Sequence, residues 1–488
     1  MVLTAAAWMR GAEYDEQYSV FLLAGDARPA WPSGVFTAGA VRDRFHGDAS
    51  LLRIAADLRR GDVHPPLYFW ALDGWRRIVG DSLFRLRLFS VVCGTAALAV
   101  VGLIARRCLL PPALAMLLTL GCYAFTYTGA VARGFALAQL LMLLGVLAAL
   151  YATPARRWSG GVAGLLLGAA SFTNYLAAFT AGPVLLWLAW RRPRDVMPAG
   201  AAFALFVGAD LVFFLAQRDA RPGQFPPFHL TVGLARLAQY GAGAIAGGLP
   251  LYLSDRFATA AAVPIAGFLA ALAGLAVLRW RRIGMPSARV LLAGVAVATP
   301  GGLLLLGIVF DNTPIELRYL AFGLPYAALL LAGALASLKR AAKRVAVAAV
   351  VTVQAAAIAG LLLRPETQQP MQEAAREAAA QAGPRTVVLL PRGNDGVGIV
   401  GAFVTAANDD LRILLVDPTT RATALHAVAS RVMLARLDRD VTSGATIEAL
   451  RASFAADPCW RALPGGSNLI VFQTTCGDGS WVSSTASR

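Results

Sequence analysis

Two adjacent acids, Asp15 and Glu16, follow an apolar N-terminal stretch, and the run His64-Pro65-Pro66-Leu67-Tyr68 comes later in the same polar segment, 11–81. A carboxylate within reach of an attacking hydroxyl can take up its proton, which is the work of a general base. Most of the chain around this segment is apolar enough to lie in a membrane. Ionisable side chains at a membrane boundary are costly to keep, which marks the acid pair as a candidate reaction site.

What must position these residues is a bundle of helices. The 488 residues are 57% hydrophobic and only 15% charged, with a mean hydropathy of +0.60. Soluble domains carry roughly 25% charged residues. The apolar residues fall in blocks of about 20, the length that crosses a hydrocarbon core. The pattern predicts a polytopic α-helical membrane protein with about 11 transmembrane helices. Ten are expected near 82–105, 111–130, 133–152, 160–175, 177–190, 198–216, 258–278, 289–310, 318–337 and 345–363.

A net charge of +16 could signal nucleic acid, but its distribution argues against that partner. The basic residues cluster between apolar blocks, as a topology signal does. The clusters are Arg106-Arg107, Arg156-Arg157, Arg191-Arg192-Arg194, Arg279-Arg281-Arg282 and Lys339-Arg340-Lys343-Arg344. Placing all five in the cytoplasm satisfies every span at once. Loops 11–81 and 217–257, the turns near Arg133, Asn174 and Asp311, and everything after Arg364 then face outside. The first helix fits less cleanly, since Val2–Met9 supplies only about half a span. Truncation by a misplaced start is favoured over a short hairpin-like insertion, and no basic n-region or cleavage site points to a signal peptide.

From about 366 to 488 the charge rises and the apolar runs shorten. Strands are expected at 386–390, 412–416, 432–437 and 469–474, with helices near 373–380, 397–407, 419–430 and 445–456. This alternation predicts a small extracytoplasmic α/β domain with a largely parallel sheet. The expected domains are thus 1–365 and 366–488. An outer compartment permits a disulfide between Cys459 and Cys476, whereas Cys93, Cys108 and Cys122 lie in or beside helices and read as packing residues.

Four features together resemble the GT-C glycosyltransferases, specifically the protein O-mannosyltransferases and aminoarabinose transferases. The first is Glu13-Tyr14-Asp15-Glu16-Gln17-Tyr18-Ser19. The second, Asp62-Val63-His64-Pro65-Pro66-Leu67-Tyr68, is similar to that family's HPPLYY run. The third, Ala132-Arg133-Gly134-Phe135-Ala136, is similar to its ARxYA turn. The fourth, Glu316-Leu317-Arg318-Tyr319-Leu320 followed by Pro325, is similar to its RYLLPxLP helix. The resemblance covers about 1–365 in the same order, and leaves the α/β domain and the short first helix outside the pattern.

The resemblance implies a sugar transferred from a polyprenyl-phosphate carrier to an acceptor on the outer face of the membrane. It implies Asp15 as the catalytic base, with inversion at the anomeric carbon. A leaving phosphate gains charge, and fixed cations stabilise it most in the transition state. Arg133 and Arg318, at the outer ends of helices, are carried over as donor-phosphate ligands, since Arg binds phosphate bidentately. Glu16 is expected to position the acceptor or hold a divalent ion, with His229 as a distant second ligand, which is too little for a firm metal site. Asp62, His64 and Tyr68 belong to the substrate loop. The two prolines stiffen the entry to an aromatic juxtamembrane helix over 65–79, which Pro favours at its first turn.

Each role has a plainer rival. Asp15-Glu16 can be a solvated pair at a helix end, Arg133 a snorkelling arginine, Arg318 a partner for Glu316, His64 a cap before the prolines, and His229 a loop residue. Asn174 and Tyr175 read as turn residues. The glycine-rich run 393–398 lacks the spacing of a phosphate loop and reads as a structural turn. Two other functions stay open, a flippase for lipid-linked sugars and a non-catalytic scaffold. Neither the sugar nor the acceptor (glycolipid, polysaccharide or protein) is legible. Abundant Ala and Arg with almost no Lys point to a GC-rich bacterial genome, hence an inner membrane facing a periplasm and an undecaprenyl-type carrier.

Overall fold

The computed structural model describes residues 1–152, 158–217, 226–247, 255–364, 366, 370–393, 395–437 and 441–476. The Arg156-Arg157 cluster, Asn394 of the glycine-rich run and parts of the expected 217–257 loop lie outside the described residues. The chain divides into two compact units. One is Met1–Met9 with Leu51–Pro365, and the other is Arg10–Ser50 with Glu366–Arg488. The break after Pro365 coincides with the change in composition. Segment 10–50 departs from the expected division, because it belongs to the second unit and not to an outer loop of the bundle.

In the first unit the apolar blocks form helices. Leu83–Arg107, Pro193–Gln217, Pro286–Phe310 and Arg340–Leu363 are long and apolar enough to cross a membrane, with hydropathies of 2.1 to 2.4. Pro112–Gly121, Phe135–Tyr151, Trp158–Ser171 and Leu324–Ala336 are apolar but shorter. Among the described residues, length alone therefore supports fewer full spans than the expected eleven. Leu186, Leu205, Val297 and Leu363 are exposed on this unit, a surface suited to lipid tails, which are as apolar as leucine.

One expected span, 111–130, is broken. Pro112–Gly121 stops at Cys122, whose extended backbone (φ −66°, ψ 119°) leads into Tyr123–Thr128. In an apolar surrounding the carbonyls released by such a break need new donors. Gln354 Nε2 donates to the Leu118 carbonyl at 3.0 Å, and the Thr126 hydroxyl donates to that of Leu120 at 2.5 Å. A second device joins Trp158–Ser171 to Pro193–Gln217. Gly160, Gly164 and Gly168 recur every fourth residue, and a Cβ on Gly164 would stand 1.9 Å from the Ala199 carbonyl oxygen. Only the missing side chain lets the two backbones come that close, as small residues do between membrane helices.

Ahead of these spans lie two shorter helices. Leu51–Gly61 buries Ile54 and Leu58 and turns its arginines outward. Leu67–Val79 starts after Pro65-Pro66, near its expected start, and buries Tyr68, Phe69 and Leu72.

The second unit is a six-stranded sheet with helices on both faces. Its strands are β1 (Phe36–Thr37), β2 (Thr386–Pro391), β3 (Arg412–Val416), β4 (Arg431–Ala435), β5 (Trp460–Leu463) and β6 (Leu469–Thr474), in the order β1-β3-β2-β4-β6-β5. Only β3-β2-β4 is parallel. The β1-β3, β4-β6 and β6-β5 pairs are antiparallel, so the sheet is mixed where a largely parallel one was expected. β2 is buried throughout. Val388 and Leu390 pack towards Met371–Gln381 and Gly398–Ala406, while Val387 and Leu389 pack towards Val441–Ala456, the alternation that the period of two requires. The helix expected at 419–430 is only a short 3-10 turn, Ala422–Leu425.

Segment 10–50 is built into this unit. Phe36 pairs with Ile413 at the sheet edge. The helix Tyr14–Ala24 lies on Gly398–Ala406, where a Cβ on Gly398 would meet the Tyr14 ring at 2.4 Å and one on Gly401 would meet Phe21 at 2.7 Å. Tyr18 donates to Asp395, and Trp31 Nε1 donates to the Gly396 carbonyl at 2.6 Å. The sequence placed 10–50 by its position between apolar blocks, and that position carries no information about these distant partners.

Candidate active site

In the first unit Asp62, His64 and Arg133 form a chain of hydrogen bonds. Asp62 is buried, and its Oδ1 accepts from the Val63 backbone N–H and lies 2.6 Å from His64 Nδ1. Arg133 Nη2 stands 3.1 Å from His64 Nε2. The same nitrogen stands 3.4 Å from His64 Nδ1, so the guanidinium lies against both ring nitrogens. Asp62 thus holds His64, and His64 holds Arg133. Arg133 is only 5% exposed. Its Nη1 is buried and has no hydrogen-bond partner among the described residues.

The elements explain why Arg133 sits there. It lies in the turn between Tyr123–Thr128 and Phe135–Tyr151. At the next residue, Gly134, the packing is tight, since a Cβ would come 3.2 Å from both Tyr68 Cβ and the Thr173 carbonyl. Tyr68 is thereby wedged against the Arg133 turn, between Phe69 and Phe89. Arg318 lies in the 3-10 turn Leu317–Phe322, its guanidinium 5.4 Å from the centre of the Tyr319 ring. Glu316, in the connection before that turn, has its carboxyl pushed above the ordinary range by burial, with Arg236 pulling the other way. His229 is exposed at the start of Leu230–Ala246.

The same neighbourhood holds Gln217 and Asp210, which the sequence reading passed over, and Asn174 and Tyr175, which it read as turn residues. Gln217 Nε2 donates to the carbonyls of Leu58 and His64, both at 3.0 Å, and Gln217 Oε1 accepts from the Tyr175 hydroxyl at 2.8 Å. Tyr175 opens the 3-10 turn Tyr175–Ala177 that follows Trp158–Ser171. Burial, and then the carboxylates of Asp210 and Asp62, push its phenol well above the ordinary range. Asp210 is buried in Pro193–Gln217 and accepts from the Ser171 hydroxyl at 2.6 Å. Asn174 caps its own turn, its Oδ1 accepting from Leu176 N–H. A lone acid deep in an apolar block was the available signal for Asp210.

The acid pair lies in the second unit. Asp15 is half-buried in the first turn of Tyr14–Ala24. Glu16 is fully buried and closes a capping box with Glu13, its carboxylate accepting from the Glu13 backbone N–H at 3.1 Å. Buried and committed to the helix end, Glu16 does not fit the metal-ligand role considered with His229. The geometric cluster His426, Asp457 and Cys459 is no better, because Cys459 is bonded to Cys476 (Cα–Cα 5.1 Å) and its sulfur is not a thiolate. That disulfide ties the start of β5 to the chain just past β6. Cys93, Cys108 and Cys122 are free and buried.

Residues 63–217 match the family model of the dolichyl-phosphate-mannose-protein mannosyltransferases. That stretch contains His64, Tyr68, Arg133, Asp210 and Gln217. No curated protein matches the sequence. Among solved structures, the chain is similar to ArnT from Cupriavidus metallidurans bound to undecaprenyl phosphate, with a TM-score of 0.53 at 13% identity over 96% of this chain and 95% of that one. The apo state of that protein gives a TM-score of 0.50 at 12% identity over the same shares. At such identities the likeness shows a common fold.

Proposed function

We propose that this chain, which resembles the GT-C glycosyltransferases in its family match and its fold, moves a sugar from a polyprenyl-phosphate carrier to an acceptor glycolipid, polysaccharide or protein. The observation that carries this reading is Arg133. It is a buried guanidinium held by the His64 imidazole, with one nitrogen lacking a partner among the described residues. A fixed, unneutralised cation suits a group whose negative charge grows as it leaves, and Arg fits phosphate oxygens. Arg318 is the proposed second phosphate ligand.

In this reaction an acceptor hydroxyl oxygen attacks the anomeric carbon, and the bond from that carbon to the phosphate oxygen breaks. The carrier leaves as polyprenyl phosphate, the configuration inverts, and Asp15 takes the hydroxyl proton. Asp62 is less suited to that task, since one of its oxygens already serves His64 and the Val63 amide. Glu16 supports the helix that carries Asp15. The reaction is assigned to the outer face of a bacterial inner membrane, with the second unit periplasmic. The basic clusters at the ends of the spans support this side, as does a disulfide in the second unit, which belongs in an oxidising compartment.

The test is sugar release by the purified protein from a panel of undecaprenyl-phosphate-linked sugars, wild type against Asp15→Asn, with and without EDTA. The expected outcome is wild-type turnover that falls by about 10²–10⁴ in a folded Asp15→Asn, and insensitivity to EDTA. Equal turnover in both proteins would remove Asp15 as the base. Inhibition by EDTA would bring a divalent ion into the site. Binding of undecaprenyl phosphate without turnover of any donor would favour a carrier that moves lipid-linked sugars.

A further inference from the structure

We infer that Asp210 reads the sugar of the lipid-linked donor, its Oδ1 accepting a hydrogen from a ring hydroxyl or amine. The inference rests on the glycosyltransferase reading above. Within Pro193–Gln217 the acids are Asp195, in the first turn, and Asp210, deep in the apolar part. Asp210 is 9% exposed. Oδ2 is occupied by Ser171, whereas Oδ1 is buried with no hydrogen-bond partner among the described residues. A buried acceptor left unmade is costly to a fold, and an acid inside a membrane helix is costly even when satisfied. Packing gives no reason to keep one here.

The position connects Asp210 to the phosphate end of the site. Gln217 lies seven residues on, two helical turns and about 10 Å along the same face. It holds the His64 backbone carbonyl, and the ring of that histidine holds Arg133. Tyr175 bridges the same span, bonded to Gln217 and within electrostatic reach of both Asp210 and Asp62. The glycine seam at Gly160, Gly164 and Gly168 locks the helix in place, so Asp210 is presented by a rigid element. Within this cluster a cationic donor on Arg133 and an acceptor on Asp210 have no hydrogen-bond partner among the described residues. A ligand complementary to both carries an anion at one end and an O–H or N–H at the other. A sugar joined to a phosphate is such a molecule. A bare polyprenyl phosphate would satisfy Arg133 and leave Asp210 as it is.

The experiment separates those two ends, using the full-length protein in lipid nanodiscs. Binding of undecaprenyl phosphate alone is measured first. Turnover is then measured with undecaprenyl-phosphate-linked pentoses and hexoses, each with and without an amine. For Asp210→Asn the expected result is unchanged affinity for undecaprenyl phosphate, a KM for the preferred sugar donor raised about tenfold to a hundredfold, and a flattened preference across the panel. An unchanged KM and an unchanged preference overturn the inference while leaving the glycosyltransferase reading intact. An equal loss for every donor and for the sugarless carrier marks a merely structural residue and also overturns it. If the wild type neither binds the carrier nor turns over any donor, the underlying reading fails, and this inference with it. Should Asp210→Asn not fold, Asp210→Glu keeps the charge, moves the oxygen by one methylene, and is read by the same KM and preference criteria.

Discussion

Arg133 shows how a charge is kept available inside a protein. A carboxylate bonded directly to it would have neutralised it, whereas here the bonded group is the His64 imidazole, with Asp62 on its far side. Arg133→Lys keeps the charge and loses the planar fork. Its expected effect is a weakening of undecaprenyl-phosphate binding by about tenfold or more with folding unaffected, checked by titration and thermal unfolding. At this scale the sequence was legible where a motif carried it. His64 and Arg133 stood out by their local runs, although only the fold brings them together across 69 residues of chain. The capping box that Glu16 closes with Glu13 was not legible, since Glu is a poor N-cap by propensity and nothing in the local run advertised it. Asp210 was passed over because a span is recognised by its apolar average, which one acid hardly changes, and Gln217 because it opened an expected loop.

Between helices, what matters is how backbone groups in an apolar medium are satisfied and how closely backbones approach. The expected spans follow from length and composition, and most correspond to helices. The break at Cys122 was illegible, because it depends on Gln354 and Thr126 supplying donors to exposed carbonyls, one of them from more than two hundred residues away. The glycine seam allows a direct prediction. Gly164→Ala would drive a methyl group into the Ala199 carbonyl, and overpacking of this kind costs about 1–3 kcal/mol. The expected result is a lower thermal midpoint in detergent together with weakened sugar selectivity, because the same contact holds the Asp210 helix. A midpoint equal to wild type would mean that the pair of helices relaxes freely.

Taken whole, the chain crosses between its two units three times, after Met9, after Ser50 and after Pro365. The α/β character of the C-terminal part was legible from alternating strands and helices. Its discontinuity was not, because a two-residue edge strand and one short helix of mixed polarity look like any loop. The fragment 366–488 produced alone is expected to be insoluble or unfolded, with the edge of β3 and the glycine face of Gly398–Ala406 uncovered, and addition of a 10–50 peptide to recover a cooperative thermal transition. A soluble, cooperatively melting fragment without that peptide would show that segment 10–50 is dispensable. The discontinuity also sets a schedule. Phe36 leaves the ribosome long before Ile413, its partner in the sheet, and at about 5–20 residues per second the delay runs to tens of seconds. Through that interval Tyr14, Phe21, Trp31 and Phe45 have no core to enter. The second unit is thus begun early and completed last, and the quality control of this protein falls on an orphaned N-terminal segment waiting for the rest of its own fold.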